Sequence, residues 1–148
     1  MRIALGADHA GVALKDRLKR HLDERGISYT DFGTNTTESV DYPDYASTVA
    51  AEVAKGAYDR GILVCGTGIG MAIAANKIAG VRAAPVVDQM SASLSREHND
   101  VNVLALGARV TTPEVATRLV DIFLDTPFGG GRHQRRIDKI AAMDQVSR

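Results

Sequence analysis

Cys65 is the only cysteine of the 148-residue chain, and it stands directly before three alternating glycines in "VCGTGIGMAIAANK", residues 64–77. The thiolate is the reactive form of cysteine. With a reference pKa of about 8.5, only a few per cent is present at pH 7. A cysteine leaving a strand beside the start of a helix has surroundings that raise that fraction. Glycines at such a start let successive backbone N–H groups converge on one point where negative charge is favoured. A thiol next to an amide nest suits two chemistries. One is nucleophilic attack with an oxyanion hole, and the other is proton abstraction beside a carbonyl, with the nest holding the enediolate. Plainer roles stay open, since glycines also simply turn a chain and a strand cysteine often serves as a small hydrophobe. The nucleotide-loop motifs fit poorly. Gly66, Gly68 and Gly70 leave Met71 where a dinucleotide fingerprint needs its third glycine, and Lys77 comes too late for a P-loop.

Three further clusters carry polar chemistry. "ADHAG" (7–11) holds Asp8 and His9, either a helix cap with a bystander or a pair of site residues. "REHND" (96–100) holds His98 and Asn99, both ordinary at helix ends. "GGGRHQRR" sets Arg132 and Arg136 four apart on one helical face, a solvated basic stripe or a fork for phosphate, with Arg109 as a possible third. Together they amount to a base, an anion nest, two histidines and several arginines, the kit for a small phosphorylated carbonyl compound.

The elements that must position these groups alternate. Strands are expected at 2–7, 27–32, 60–65, 81–87 and 101–107. Helices are expected at 11–25, from Tyr45 to Ala57, over 71–79 and 90–99, and from Pro113 to 124. That order predicts an α/β, Rossmann-like three-layer sandwich: a five-stranded parallel sheet with helices on both faces. An extra C-terminal helix has no strand of its own to cover, so it is expected to pack on another subunit. Nothing divides the chain, so residues 1–148 read as one domain. Ligands bind such sheets at the carboxyl ends of the strands, which is where Asp8, Cys65 to Gly70, Asp88 and Arg109 fall.

Composition narrows the function classes. Lys plus Arg and Asp plus Glu both number 18, so no global charge favours nucleic acid or a membrane surface. The hydrophobic fraction of 45% supports a core. One unpaired cysteine, no signal-peptide pattern and no membrane-length apolar run point to a soluble cytoplasmic protein.

Five motifs in order, "GADHAG", "DYPDYA", "CGTGIGMAIAANK", "SREHNDVNVLALGAR" and "GGGRHQRRI", resemble the type B ribose-5-phosphate isomerases. That family also holds galactose-6-phosphate isomerase subunits and allose-6-phosphate isomerases. The resemblance implies interconversion of D-ribose 5-phosphate and D-ribulose 5-phosphate through an enediolate, with no cofactor and no metal. By the same resemblance, Cys65 is the base, and Thr67 with the amides of Gly66, Gly68, Ile69 and Gly70 holds the enediolate oxygen. His98 assists ring opening, Asp8 and Tyr42 lie near the sugar, and Asn99 positions its oxygens. His9, Arg109, Arg132 and Arg136 hold the phosphate. The family's site lies between two subunits, which implies a homo-oligomer, a dimer or a tetramer, with shared active sites. Some relatives carry a glutamate base where this chain has Met71, which leaves Cys65 as the base here. Erythrose 4-phosphate, allose 6-phosphate or galactose 6-phosphate as substrate, or a non-catalytic sugar-phosphate sensor, are the alternatives.

Overall fold

Two strands are apolar along their length because both of their faces are covered. β1 (Arg2–Ala7) and β3 (Arg60–Cys65) are buried beyond their first residues, as parallel strands under helices must be. The computed structural model, which describes residues 1–144, places them at the centre of a five-stranded parallel sheet. β2 (Ser28–Asp31), β4 (Ala83–Pro85) and β5 (Val103–Gly107) complete it in the order β2-β1-β3-β5-β4. β1 pairs with β2 on one side and β3 on the other, so the chain reverses direction across the sheet between β1 and β3. The crevice beyond the carboxyl ends of that pair is where such folds bind ligands.

Side chains alternate between the two faces. Ile3, Leu5, Ile62, Val64, Leu104 and Leu106 pack against α1 (Val12–Glu24), α4 (Gln89–Glu97) and α5 (Pro113–Asp125). Ala4, Leu63, Cys65, Val103 and Ala105 face α2 (Tyr42–Ala54) and α3 (Ile69–Ala75). Cys65 therefore ends its strand pointing into the α2–α3 layer. The register sets Ala7 opposite Val64 and Cys65 opposite Gly107. Asp8 consequently comes level with Cys65, and Gly66 with Ala108, where the chain leaves the sheet.

The element boundaries depart from sequence expectation where proline acts. α2 starts three residues early, at Tyr42, because Pro43 in its first turn brings a helical φ and needs no N–H partner. β4 stops at Pro85 on the sheet's edge, since proline cannot donate to a ladder. One connection is anchored from within. Lys15 of α1 is fully buried, and its Nζ donates to Asp31 Oδ1 at 2.6 Å, to Asn35 Oδ1 at 3.0 Å and to the Thr34 carbonyl. This pins the start of the loop that leads into α2. Burial alone would raise the Asp31 pKa, but hydrogen bonds from Lys15, Lys19 and the Gly33 N–H outweigh it and hold the carboxyl below its ordinary value.

α6 (Arg132–Met143) stands apart from both layers. Ile137 is its one buried residue, while Ile140 and Met143 are 44% and 66% exposed. Its flanks are tied by the Gly129 N–H to the Glu97 carbonyl and the Gly80 N–H to Asp144 Oδ2, both at 2.9 Å. No described helix is long and apolar enough to cross a membrane.

Candidate active site

The turn after β3 is built around Gly68. Its φ of +82° is left-handed, and a Cβ there would sit 3.1–3.2 Å from the backbone of Ala105 and Leu106, so only glycine fits without strain. The turn directs the Gly68 N–H back to Cys65 Sγ at 3.2 Å. The thiol is buried apart from the side it shows to a cavity of about 430 Å³. Thr67 lies exposed at the rim, and its Oγ1 accepts from the Ile69 N–H at 3.2 Å. The Gly70 and Met71 N–H groups have no hydrogen-bond partner among the described residues. α3 is only seven residues long, so its contribution is these open donors at short range rather than a large dipole.

The two outer glycines make room for side chains from elsewhere. A Cβ on Gly70 would meet the Tyr42 ring at 2.6 Å, so the ring lies directly against the α3 backbone. A Cβ on Gly66 would approach Arg109 Nη1 at 3.1 Å, so the guanidinium covers that glycine. Beneath them, Gly107 comes so near Thr67 that a Cβ would stand 2.6 Å from its backbone. The alternating glycines thus answer three separate packing demands: a guanidinium, a left-handed turn and an aromatic ring.

Asp8 serves as the helix cap and lies at the cavity. Its Oδ1 caps the short 3-10 turn His9–Gly11, accepting from Ala10 and Gly11 N–H at 3.0 and 3.2 Å, while the residue also lines the Cys65 cavity. His9 Nδ1 accepts from the Val40 N–H at 3.2 Å, which leaves a proton on Nε2 in the neutral ring. Among the sequence-derived candidates, Asp8, Tyr42, Cys65, Gly66, Thr67, Ile69, Gly70 and Arg109 share this one cavity. Gly68 underlies it and His9 adjoins it. Met71 is fully buried in the α2–α3 core and offers no acid or base.

His98, Asn99, Arg132 and Arg136 are not brought there. His98 caps the C-terminus of α4, which descends from β4 to the start of β5. It therefore lies toward the amino end of the sheet, at the far end of β5 from Cys65. In this second cluster the His98 ring stacks on His133 of α6, with centroids 4.2 Å apart and planes 18° from parallel. Desolvation, with His98, Arg132 and Arg136 nearby, holds the His133 pKa below its ordinary value. Arg132 and Arg136 flank it, exposed, with no carboxylate partner among the described residues. Asn99 lines a neighbouring cavity with Ile140 and Met143. The sequence reading passed over His133 and Ile73. His133 sits between the two arginines it singled out. Ile73 is one helical turn from Ile69, and both are more than half exposed beside the cavity. Among the described residues, no three His, Cys, Asp or Glu side chains are grouped as metal ligands would be.

Comparison with known proteins places this geometry among relatives. The model of the family described as Ribose/Galactose Isomerase matches residues 3–140. Ribose-5-phosphate isomerase B of Escherichia coli is 52% identical over 144 residues, 97% of each chain. The D-erythrulose-4-phosphate isomerase of Pectobacterium atrosepticum is 44% identical over 141 residues, covering 95% of this chain and 93% of that one. The structure of ribose-5-phosphate isomerase B from Mycoplasma genitalium with bound ribulose-5-phosphate superposes with a TM-score of 0.95 at 44% identity, over 99% of this chain and 97% of that one.

Proposed function

This chain belongs to the ribose/galactose isomerase family and is a sugar-phosphate isomerase, and from that premise we propose that it interconverts D-ribose 5-phosphate and D-ribulose 5-phosphate. The observation that carries the mechanism is the placing of Cys65 Sγ beside open amides at the β1–β3 crevice. The thiolate takes the proton from C2 of the open-chain aldose, and the electron pair moves onto the carbonyl oxygen to give the enediolate. Thr67 and the open amides of the Gly66–Gly70 turn hold that oxygen until it takes up the 2-hydroxyl proton, and Cys65 returns its proton to C1, leaving a carbonyl at C2 and a hydroxyl at C1. Donors aimed at developing charge in a partly dry site are the usual main source of such acceleration. Buried Met71 supports Cys65 as the base.

The active unit is a homodimer. Within one chain the ring-opening His98 and the phosphate-holding Arg132 and Arg136 lie at the opposite end of the sheet from Cys65. A second copy brings its own His98 cluster over the first copy's cavity. The exposed stripe of α6, with Ile69 and Ile73 beside the cavity, is the apolar surface that such a contact covers. The single thiol fits a reducing cytoplasm.

The test is kcat/KM on ribose 5-phosphate beside erythrose 4-phosphate, allose 6-phosphate and galactose 6-phosphate. Preference for ribose 5-phosphate is expected. Preference for the four-carbon sugar would move the substrate to the second reading, which the similarity to a D-erythrulose-4-phosphate isomerase supports. Cys65→Ala should lower kcat by about 10²–10⁴ with sugar-phosphate affinity kept. Full turnover in that variant would remove the mechanism, and binding without turnover in the unaltered protein would make it a sensor.

A further inference from the structure

A second cavity, of about 480 Å³, lies between α1 and the turn from β5 into α5, and nothing in the isomerase reading uses it. Ala10, Arg17, Arg20, Ala108, Thr111 and Glu114 are among its walls. Thr111 is 7% exposed, and its Oγ1 is the one buried side-chain nitrogen or oxygen among the described residues without a hydrogen-bond partner. Orphaned polar groups of that kind are rare in folded proteins and mark a missing partner. Arg17 and Arg20 stand three apart on α1, facing one another across a helical turn, and neither pairs with a carboxylate among the described residues. Glu114 lines the same cavity, so the walls carry two guanidiniums to one carboxylate. The positive end of the thirteen-residue α5 adds to the balance.

We propose that this cavity is an accessory site for a phosphate group, free or carried by a small monoester. Two guanidinium forks match a tetrahedral dianion, and the Thr111 hydroxyl supplies a further donor. The site backs onto the catalytic crevice through main-chain bonds. The Ala108 N–H donates to the Cys65 carbonyl at 2.8 Å, and the Ala10 N–H donates to Asp8 Oδ1 at 3.0 Å. Occupancy therefore bears on the two strand ends that hold the base and the sugar. This coupling rests on the isomerase reading, whereas the binding itself does not.

Equilibrium dialysis with inorganic phosphate, and separately with glycerol phosphate, tests the site on the purified protein. The unaltered protein should bind one phosphate per chain more than the Arg17→Ala/Arg20→Ala variant. Thr111→Val should weaken the second site at least tenfold without lowering Tm, because the hydroxyl it removes makes no bond in the empty protein. Binding of both probes assigns a monoester, and phosphate alone assigns the free ion. Equal phosphate stoichiometry in the unaltered protein and the double variant overturns the proposal. At saturating sugar phosphate, added phosphate should change kcat in the unaltered protein and not in the double variant. An unchanged kcat with the site filled refutes the coupling. That additional phosphate in a protein inactive on every sugar phosphate would instead fail the isomerase reading and leave this site standing.

Discussion

Gly70→Ala separates the chemistry of the cavity from the stability of its walls. The added Cβ would lie 2.6 Å from Tyr42 Cε1 and 2.7 Å from Cζ, whereas ordinary contact begins at 3.4 Å, so the ring must retreat by about 0.8 Å. Gly70 sits inside α3 without a positive φ, so alanine is the better helix former there by up to about 1 kcal/mol. Tyr42 is exposed on its outer side and has room to move, so the clash displaces the ring rather than the fold. A displacement near 1 Å in a positioned group costs up to about 10²-fold in rate. We expect kcat/KM on ribose 5-phosphate to fall about 10- to 100-fold while Tm holds or rises. In a Tyr42→Ala background the same substitution should cost almost nothing, because the pair acts as one unit. Activity within twofold of the unaltered protein, or an undiminished loss in the Tyr42→Ala background, would refute the reasoning.

Shared sites predict complementation. Co-expressed Cys65→Ala and His98→Ala chains, each inactive alone, should regain about a quarter of normal activity, since half of randomly paired dimers carry one intact site of two; no recovery in a confirmed mixed dimer would show that His98 does not serve the partner's site. Lys15→Met should lower stability by about 1–3 kcal/mol, because the Thr34 carbonyl and Asn35 Oδ1 lose their buried donor while Lys19 still neutralises Asp31, and a thermal melt within a degree or two of the original would contradict it. The Asp31 pKa is depressed on folding from an ordinary 3.8. Its contribution is therefore whole above that value and is lost as pH falls toward and below it. Asp31→Asn should flatten the acid limb of an unfolding curve measured against pH, and an unchanged slope would show that other carboxylates govern it.

Most of the layered sheet was legible because its signals are local. A strand covered on both faces must be apolar throughout, so β1 and β3 appear in the sequence with the boundaries they adopt. Exchange of short-range signals explains the misses. "DYPDY" reads as loop when proline counts as a breaker, yet a proline in the first turn starts α2 and thereby fixes the backbone that carries Tyr42. Lys15 could not be distinguished from other charged residues of an amphipathic helix, because its burial depends on partners 16 to 20 residues away.

The placing of His98 belongs to a different order of information. Motifs group residues by chemistry, but the order of strands decides which end of the sheet each one occupies. A helix following a parallel strand returns to the amino end, so a histidine closing α4 cannot share an end with a cysteine closing β3. The arginines of α6 travel with it, because the Gly129 N–H bond to Glu97 and the stacked imidazoles fasten that helix to the end of α4. If all of these groups act on one sugar phosphate, some must come from another molecule. The apolar stripe that α6 leaves uncovered and the exposed isoleucines of α3 give that second molecule a surface to meet. One topological fact thus links the chemistry assigned to the crevice with the association assigned to the chain, and the complementation experiment tests both together.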